Sequence, residues 1–415
     1  MIVGRHQPAA LALADWGKAH RFAGSGDRNA IGGVVYDALR RKGSIAWAMD
    51  SDAPRALALG AAAAALGLAP DAVAAACTGA PHALEPLSDA EVAGLARPLD
   101  GAPDHVRADV PEWLWPAFAA TFGDRAVAEG QKLAERAPTD LRVNALKATR
   151  EKVLKALAEY HPSATAFAPD GVRVPAPQGT ARTPNLQAEA AFQAGWFEIQ
   201  DEGSQLVSAL AGAGPREQVL DLCAGAGGKT LAMAAGMQNT GQIYAYDEDR
   251  QRLKPIFERI KRAGVRNVQI LRGGDHAALD ALGPRFDLVL VDAPCTGTGV
   301  WRRRPEAKWK LRPQALAQRQ LEQDAVLATA ARLVKPGGRI VYATCSILAA
   351  ENGDRVGAFV AAHPAFAVVP YAEVWRTRPG GEPPSSADGR DDGLLLTPAS
   401  HGTDGFYCAT LRRTA

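Results

Sequence analysis

The chain has 415 residues, 47% of them apolar, with a formal net charge of +2. That length exceeds one typical domain and suffices for two or three, while the near-neutral charge excludes a uniformly basic nucleic-acid binder and confines any such contact to local patches. No apolar run approaches the ~20 residues of a membrane helix, and Met1–Phe22 lacks the basic, apolar, small-residue order of a signal peptide, so the chain reads as soluble and cytoplasmic.

Residues 1–135 are rich in Ala and Leu at helical spacing, as in Ala30–Arg41, where Ile31, Val34, Val35 and Leu39 share one face. Gly24, Gly60, Pro70 and Pro81 punctuate the stretch. It is expected to form a small all-helical domain, with Cys77 as a core thiol. Residues 136–194 change character. Leu141–Asn144 reads as a short strand, Thr149–Glu159 as a helix with Thr149 as N-cap and Glu151 in its first turn, and Gly171–Val174 as a second extended piece. A small α+β connector domain is expected there.

From residue 195 to 415 the pattern becomes strand, loop, helix, repeated. Buried strands are expected at Gln218–Leu222, Gln242–Tyr246, Val268–Leu271, Phe286–Val291 and Arg339–Ala343, with helices such as Thr230–Ala235, Arg250–Ala263 and Gln314–Leu333 between them. That alternation implies an α/β fold with a parallel, doubly wound sheet. Ligands of such sheets sit beyond the carboxyl ends of the strands. Thr377–Gly393, rich in Pro, Gly, Ser and charge, reads as an exposed loop. Gly405–Leu411 reads as a returning strand with Cys408 in the core.

The first strand runs into Asp221-Leu222-Cys223-Ala224-Gly225-Ala226-Gly227-Gly228-Lys229-Thr230. Glycines let the backbone approach a ligand, and the following helix N-terminus offers free N–H groups. Gly228-Lys229-Thr230 resembles the end of a Walker A loop and Phe286–Asp292 a Walker B strand, which would make an NTPase, but the first Walker glycine would fall at Cys223. Asp247 follows the second strand about twenty residues on, the spacing at which an acid meets a ribose. Asp275 follows the third, where a carboxylate meets an adenine edge. Glycine backbone, acid and acid at successive strand ends, with no cluster of Lys or Arg for phosphates, favour S-adenosylmethionine. Helix capping is the plainer reading of both acids.

Five cysteines, Cys77, Cys223, Cys295, Cys345 and Cys408, are too few and too scattered for a disulfide framework, and no C-x-x-C pair suggests zinc. Cys295, in Asp292-Ala293-Pro294-Cys295-Thr296-Gly297-Thr298-Gly299, and Cys345, in Tyr342-Ala343-Thr344-Cys345-Ser346, follow the ends of the fourth and fifth strands. C5 of cytosine is a poor nucleophile toward a methyl sulfonium. Addition of a thiolate at C6 makes C5 enamine-like, and cysteine supplies both a nucleophile and a leaving group. An acid near N3 favours the adduct as charge builds on the ring, and Asp292 is placed for this. Lys229 is placed to orient Asp292 or the base, or is an ordinary cation at a helix start.

These segments resemble the RsmB/Sun, or NSUN-type, family of RNA cytosine-C5 methyltransferases. The likeness runs over nearly the whole chain and is strongest over Gly195–Val360, through Gln200-Asp201-Glu202-Gly203-Ser204, Cys223–Thr230, Asp292–Gly299 and Thr344–Ser346. It implies a class I (Rossmann-like) methyltransferase sheet, Cys345 as the nucleophile at C6 and Cys295 as the thiol that assists release of product. It also implies a cofactor site for S-adenosylmethionine at Cys223, Ala224, Gly225, Ala226, Gly227, Gly228, Lys229, Asp247, Asp275 and Asp292, and no metal. The family usually carries Ala-Pro where this chain has Gly225-Ala226; small residues keep the backbone path. The helical region resembles a NusB-like RNA-binding domain through Trp16, Arg21-Phe22 and Asp27-Arg28, and the connector resembles a small RNA-contacting domain through Arg142-Val143-Asn144 and Leu146-Lys147. Together they imply small-subunit ribosomal RNA as substrate, with transfer RNA as the alternative.

After Gly299 comes a basic run interleaved with tryptophans: Trp301-Arg302-Arg303-Arg304, Lys308-Trp309-Lys310 and Arg312. Phosphate contact and base stacking on RNA are expected of it.

Overall fold

The Ala- and Leu-rich N-terminal stretch is helical throughout the residues described. The computed structural model describes residues 7–81, 83–179, 181, 183–379 and 381–414. Its principal helices here are Ala9–Ala19, Ser25–Arg40, Lys42–Ala48, Pro54–Leu66, Pro70–Ala76, Asp89–Ala96, Trp115–Phe122 and Ala126–Leu133. Proline at the first position starts two of them, where a missing N–H costs nothing. Ser88 starts another by a reciprocal cap: its Oγ accepts from Glu91 N–H at 3.3 Å, and Glu91 accepts from Ser88 N–H at 2.9 Å. Cys77 is buried with Ile45, Met49, Leu59 and Val73. Among the described residues no single helix is long and apolar enough to cross a membrane.

The chain divides into two compact units. One comprises the described residues up to 137 with those of 177–183 and 300–311; the other comprises 138–176, 184–299 and the described residues from 312 onward. Residues 300–311 therefore belong with the helices, although in sequence they interrupt the C-terminal region. The reason lies at the end of helix Ser25–Arg40, whose last carbonyls have no partner within the helix. Trp309 Nε1–H donates to Leu39 O at 2.5 Å and Lys308 Nζ to Arg40 O at 2.9 Å. A cation is also favoured at this negative helix end. Arg40 in turn donates to Arg302 O at 3.2 and 3.1 Å.

This corrects the expectation for the basic run. Trp301 and Lys308 are each only 1% exposed, and Arg302 is buried. The Lys308 ammonium lies 5.6 Å from the Trp301 ring and 5.1 Å from the Trp309 ring. Trp301 is thus engaged inside the unit rather than offered as a stacking platform, Trp309 is half-buried, and Arg303, Arg304 and Arg312 remain exposed. Burial brings the Lys308 pKa down to about 8 from its ordinary 10.5. Below pH 8 the ammonium is charged in folded and unfolded chains alike, and its burial detracts from stability. Between about pH 8 and 10.5 the unfolded chain holds the proton more tightly, so stability rises with pH. Lys308→Met is expected to abolish that rise in urea-unfolding midpoints; parallel pH profiles for the two proteins would count against it.

The second unit holds two sheets. In the small one, β1 (Thr139–Val143), β2 (Ser163–Ala164), β3 (Gly171–Val174) and β4 (Phe197–Ile199) pair antiparallel in the order β2-β3-β1-β4. Thr149 caps helix Arg150–Ala156 as expected, accepting from Lys152 N–H at 3.3 Å. The large sheet contains β5 (Gln218–Asp221), β6 (Gln242–Ala245), β7 (Val268–Ile270), β8 (Phe286–Asp292), β9 (Val334–Thr344), β10 (Phe366–Val369), β11 (Leu394–Leu396) and β12 (Phe406–Arg413). Its order is β10-β12-β9-β8-β5-β6-β7, with β11 beside β12. From β7 to β9 all pairs are parallel, and β12 runs antiparallel to β9. This is a Rossmann-like, doubly wound sheet with an antiparallel strand inserted at one side, and its strand order reverses between β5 and β8, where the crevice for a ligand opens. One expected helix, Arg250–Ala263, is broken into Arg250–Leu253 and Ile256–Ala263 by Pro255, which lacks the N–H that would continue the ladder.

Candidate active site

The turn after β5 is strapped to both neighbouring strands. Leu222 N–H donates to Leu290 O at 2.9 Å, Ala224 N–H to Tyr246 O at 2.8 Å and Gly227 N–H back to Ala224 O at 2.8 Å. Ala226 O accepts from Arg259 at 2.7 Å. Gly227 has φ +83°, and a Cβ there would lie 2.4 Å from Ile256 Cγ1. Gly227→Ala therefore meets both a left-handed backbone penalty and a clash, together roughly 2–5 kcal/mol. A matching fall in the denaturation midpoint is expected; a wild-type midpoint would refute it.

Asp247, at the end of β6, is buried and ties this turn down. Its Oδ2 accepts from Gly225 N–H at 2.9 Å and its Oδ1 from Asp249 N–H at 3.0 Å, with Arg252 at 3.3 Å. Asp275 caps helix His276–Asp280, accepting from Ala278 N–H at 3.0 Å through Oδ1. Asp221, fully buried, accepts from Thr230 Oγ1 at 2.6 Å; burial pushes its carboxyl up to about 7.

Lys229, on the first turn of helix Gly228–Gly236, donates to Asp292 Oδ2 at 2.7 Å and lies 5.5 Å from the Phe406 ring. Burial alone would lower the pKa of this ammonium, but the Asp292 carboxylate holds it above the ordinary value, and Cys345 acts in the same direction.

The two cysteines meet. In the β8–β9 register Asp292 lies opposite Ala343, so chains leaving these strands carry Cys295 and Cys345 side by side. Their sulfurs are 3.3 Å apart. The contact with Cys345, then burial, raises the Cys295 thiol well above its ordinary pKa. Cys223 is pushed up too, chiefly by burial, and Cys408, in the core on β12, to about 12.

Several residues outside the sequence motifs hold the cysteine loops. Glu351 accepts from Thr296 N–H at 2.9 Å, from the Thr296 hydroxyl and from Gln323 Nε2 at 3.0 Å. Gln323 also donates to Pro294 O at 2.9 Å. Asn352 accepts from Thr344 Oγ1 at 2.6 Å and donates to Ser346 O at 2.9 Å. Gly299 N–H donates to Cys345 O at 2.9 Å, and a Cβ on Gly299 would lie 2.2 Å from Gly405 O, so only glycine admits β12 this close. Upstream, Asp201 caps its own helix through Gly203 N–H at 2.8 Å and accepts from Asp404 N–H at 3.1 Å. Glu351, Asn352, Gln323 and Asp404 lie outside the sequence motifs, and periodicity could not reveal them, because each is marked only by the motif residue it meets in the fold.

The donor set fits an adenosyl sulfonium. Each Asp247 oxygen retains acceptor capacity beyond its backbone contact, since an ionised carboxylate has roughly four lone-pair sites. Asp292 sets negative charge at the strand ends, and the turn takes left-handed backbone at Gly225 (φ +51°) and Gly227 (φ +83°). Among the described residues no group of three or more His, Cys, Asp or Glu is placed to hold a metal.

The 16S rRNA methyltransferase RsmB/F family matches residues 209–412, and the ferredoxin-like domain of RsmF/B-like methyltransferases matches residues 110–180. The probable ribosomal RNA small subunit methyltransferase B of Synechocystis is 33% identical over 312 residues, covering 73% of this chain and 66% of that protein. Ribosomal RNA small subunit methyltransferase B of Shewanella oneidensis is 30% identical, covering 76% of this chain and 69% of its own length. The chain thus spans about two thirds of the length of the curated relatives it matches. The crystal structure of PH0851 is similar with a TM-score of 0.73 at 26% identity, over 96% of this chain and 93% of that one. Agreement with these relatives in sequence, and with PH0851 in overall structure, leaves the Walker-type alternative without support: the chain belongs to the RsmB/F family of methyltransferases.

Proposed function

We propose that this protein transfers a methyl group from S-adenosylmethionine to C5 of a cytosine in RNA, with small-subunit ribosomal RNA as substrate. The observation that carries the reading is the pair of thiols, Cys295 and Cys345, 3.3 Å apart at the ends of adjacent parallel strands, on the same sheet edge as the Lys229–Asp292 pair. The names of the relatives support the choice of RNA.

The cofactor would lie against the backbone of Cys223–Lys229, with Asp247 at the ribose, Asp275 at the adenine edge and Asp292 near the sulfonium. Bound there, it supplies an electrophilic methyl group. Cys345 gives up its proton and attacks C6 of the flipped base, the C5–C6 electron pair moves to C5 and forms the bond to the methyl group, and the methyl–sulfonium bond breaks to leave a neutral thioether. As charge builds on the ring, N3 takes up the proton released by Cys345, returns it when the thiolate leaves, and while protonated donates to the Asp292 carboxylate, which the Lys229 ammonium backs. The C5 proton then leaves to a base, the C6–S bond breaks, and the electron pair returns to Cys345. Cys295, held as a thiol at neutral pH by its contact with Cys345 and by burial, assists this release. Exposed Arg303, Arg304 and Arg312 are proposed to meet phosphates.

The test is incubation with methyl-labelled S-adenosylmethionine and unmodified small-subunit ribosomal RNA, with transfer RNA in parallel, followed by nucleoside digestion. Label in 5-methylcytidine from ribosomal RNA is expected. Label confined to transfer RNA would reassign the substrate, and label in another nucleoside would overturn the chemistry.

A further inference from the structure

The two cysteine loops come from different strands, yet both are held by one dipeptide. Glu351 and Asn352 are adjacent, near-fully buried, and lie just past β9. Glu351 grips Thr296, and Gln323 bridges Glu351 to the carbonyl of Pro294, so both residues flanking Cys295 are fixed. Asn352 grips Thr344 and Ser346, the two residues flanking Cys345. Tyr342 anchors the dipeptide to β9 itself, its hydroxyl donating to Glu351 O at 2.6 Å. A buried carboxylate is costly unless donors satisfy it, and Glu351 gathers three from the Cys295 side of the site.

We infer that Glu351 and Asn352 are positioning residues for separate steps: Glu351 sets Cys295 for resolution of the covalent adduct, and Asn352 sets Cys345 for attack on the base. The inference rests on the methyltransferase reading above. Neither side chain touches the reacting atoms. Each acts through the two residues beside one thiol, and the single peptide bond between them fixes one loop against the other. A misplacement of about 1 Å is enough to cost on the order of 10²-fold in rate, so neighbouring residues of similar burial are expected to fail at different steps.

The experiment uses the full-length protein, methyl-labelled S-adenosylmethionine and an unmodified small-subunit ribosomal RNA transcript. Single-turnover methyl transfer, steady-state turnover and covalent protein–RNA complex on denaturing gels are read together. In Glu351→Gln an amide N–H₂ faces the donors of Thr296 and Gln323. Its first turnover is expected within about threefold of wild type, while steady-state turnover falls roughly tenfold or more and the covalent complex accumulates. Asn352→Ala is expected to slow the first turnover by a similar factor without accumulation. Both should leave the KM for S-adenosylmethionine within about twofold. Should either variant fail to fold, Thr296→Val and Thr344→Val remove the corresponding hydroxyl contacts, and Thr296→Ser and Thr344→Ser restore them. Loss of the same step in both arms, or no loss in either, overturns the inference while leaving the wild-type reaction standing. Failure of wild-type protein to form 5-methylcytidine, or of Cys295→Ser to trap a complex, overturns the reading beneath it and the inference together.

Discussion

Cys345→Ala is expected to lose methyl transfer by on the order of 10⁴-fold or more, the scale of removing a covalent nucleophile. The proposal above gives the two thiols different tasks, attack on C6 for Cys345 and release of product for Cys295, whose thiol is held above the ordinary range by its contact with Cys345 and by burial. Cys295→Ser keeps a hydroxyl in nearly the same space but removes the sulfur, so adduct should still form and then persist as a band resistant to denaturation. Labelled transfer and denaturing gels check both results. Undiminished transfer by Cys345→Ala, with the trapped complex appearing on loss of Cys345 instead, would mean that the roles are exchanged.

Asp292→Asn is expected to reduce turnover by about 10²–10³-fold, the usual scale for losing one preorganised electrostatic contact. The neutral amide still accepts from Lys229, so the geometry survives while the charge does not. Stability is affected less. Lys229 is only 10% exposed at its side chain and loses its counter-ion, but Asp292 is 32% exposed and water screens the pair, so the cost should fall nearer 1 than the ~3–5 kcal/mol of a fully buried pair. Because the folded pKa of Lys229 is raised, the contribution of the ion pair is fully present below about 10.5 and fades as pH climbs through the folded value. Single-turnover transfer and urea midpoints at pH 7.5 and 10.5 separate the two effects. A variant equally active at saturating cofactor would remove Asp292 from the chemistry.

β5 and β8 were legible because they are buried almost throughout and so read as apolar runs; β5, β6, β7 and β8 all lie within one residue of expectation, although β7, expected to be buried, has Gln269 exposed. The strands β4, β10 and β11, no shorter than β7, were not read as strands. At the site, the rule that ligands gather at strand carboxyl ends led directly to Asp292, Cys295 and Cys345. It could not lead to Glu351 or Asn352, whose meaning depends on Thr296, Gln323 and Thr344 arriving from elsewhere in the chain. Asp275 shows the opposite difficulty: one carboxylate at a strand end suits a ligand and a helix cap equally, and the cap is formed. Part of the basic run has a structural task for a related reason. Counting charge along the chain does not register that a helix end has carbonyls in need of donors, and Lys308 and Trp309 meet that need.

That fastening of Lys308 and Trp309 bears on how the molecule can be taken apart. The helical unit is not a contiguous stretch of chain, because the donors that close its helix Ser25–Arg40 are encoded beyond residue 299. A chimera that exchanges only the residues up to 137 with those of a relative would join one protein's helices to another's strap. Modular exchange in this chain therefore has to carry two distant gene segments together, and substitutions in helix Ser25–Arg40 and in Trp301–Leu311 should be tolerated best as matched sets.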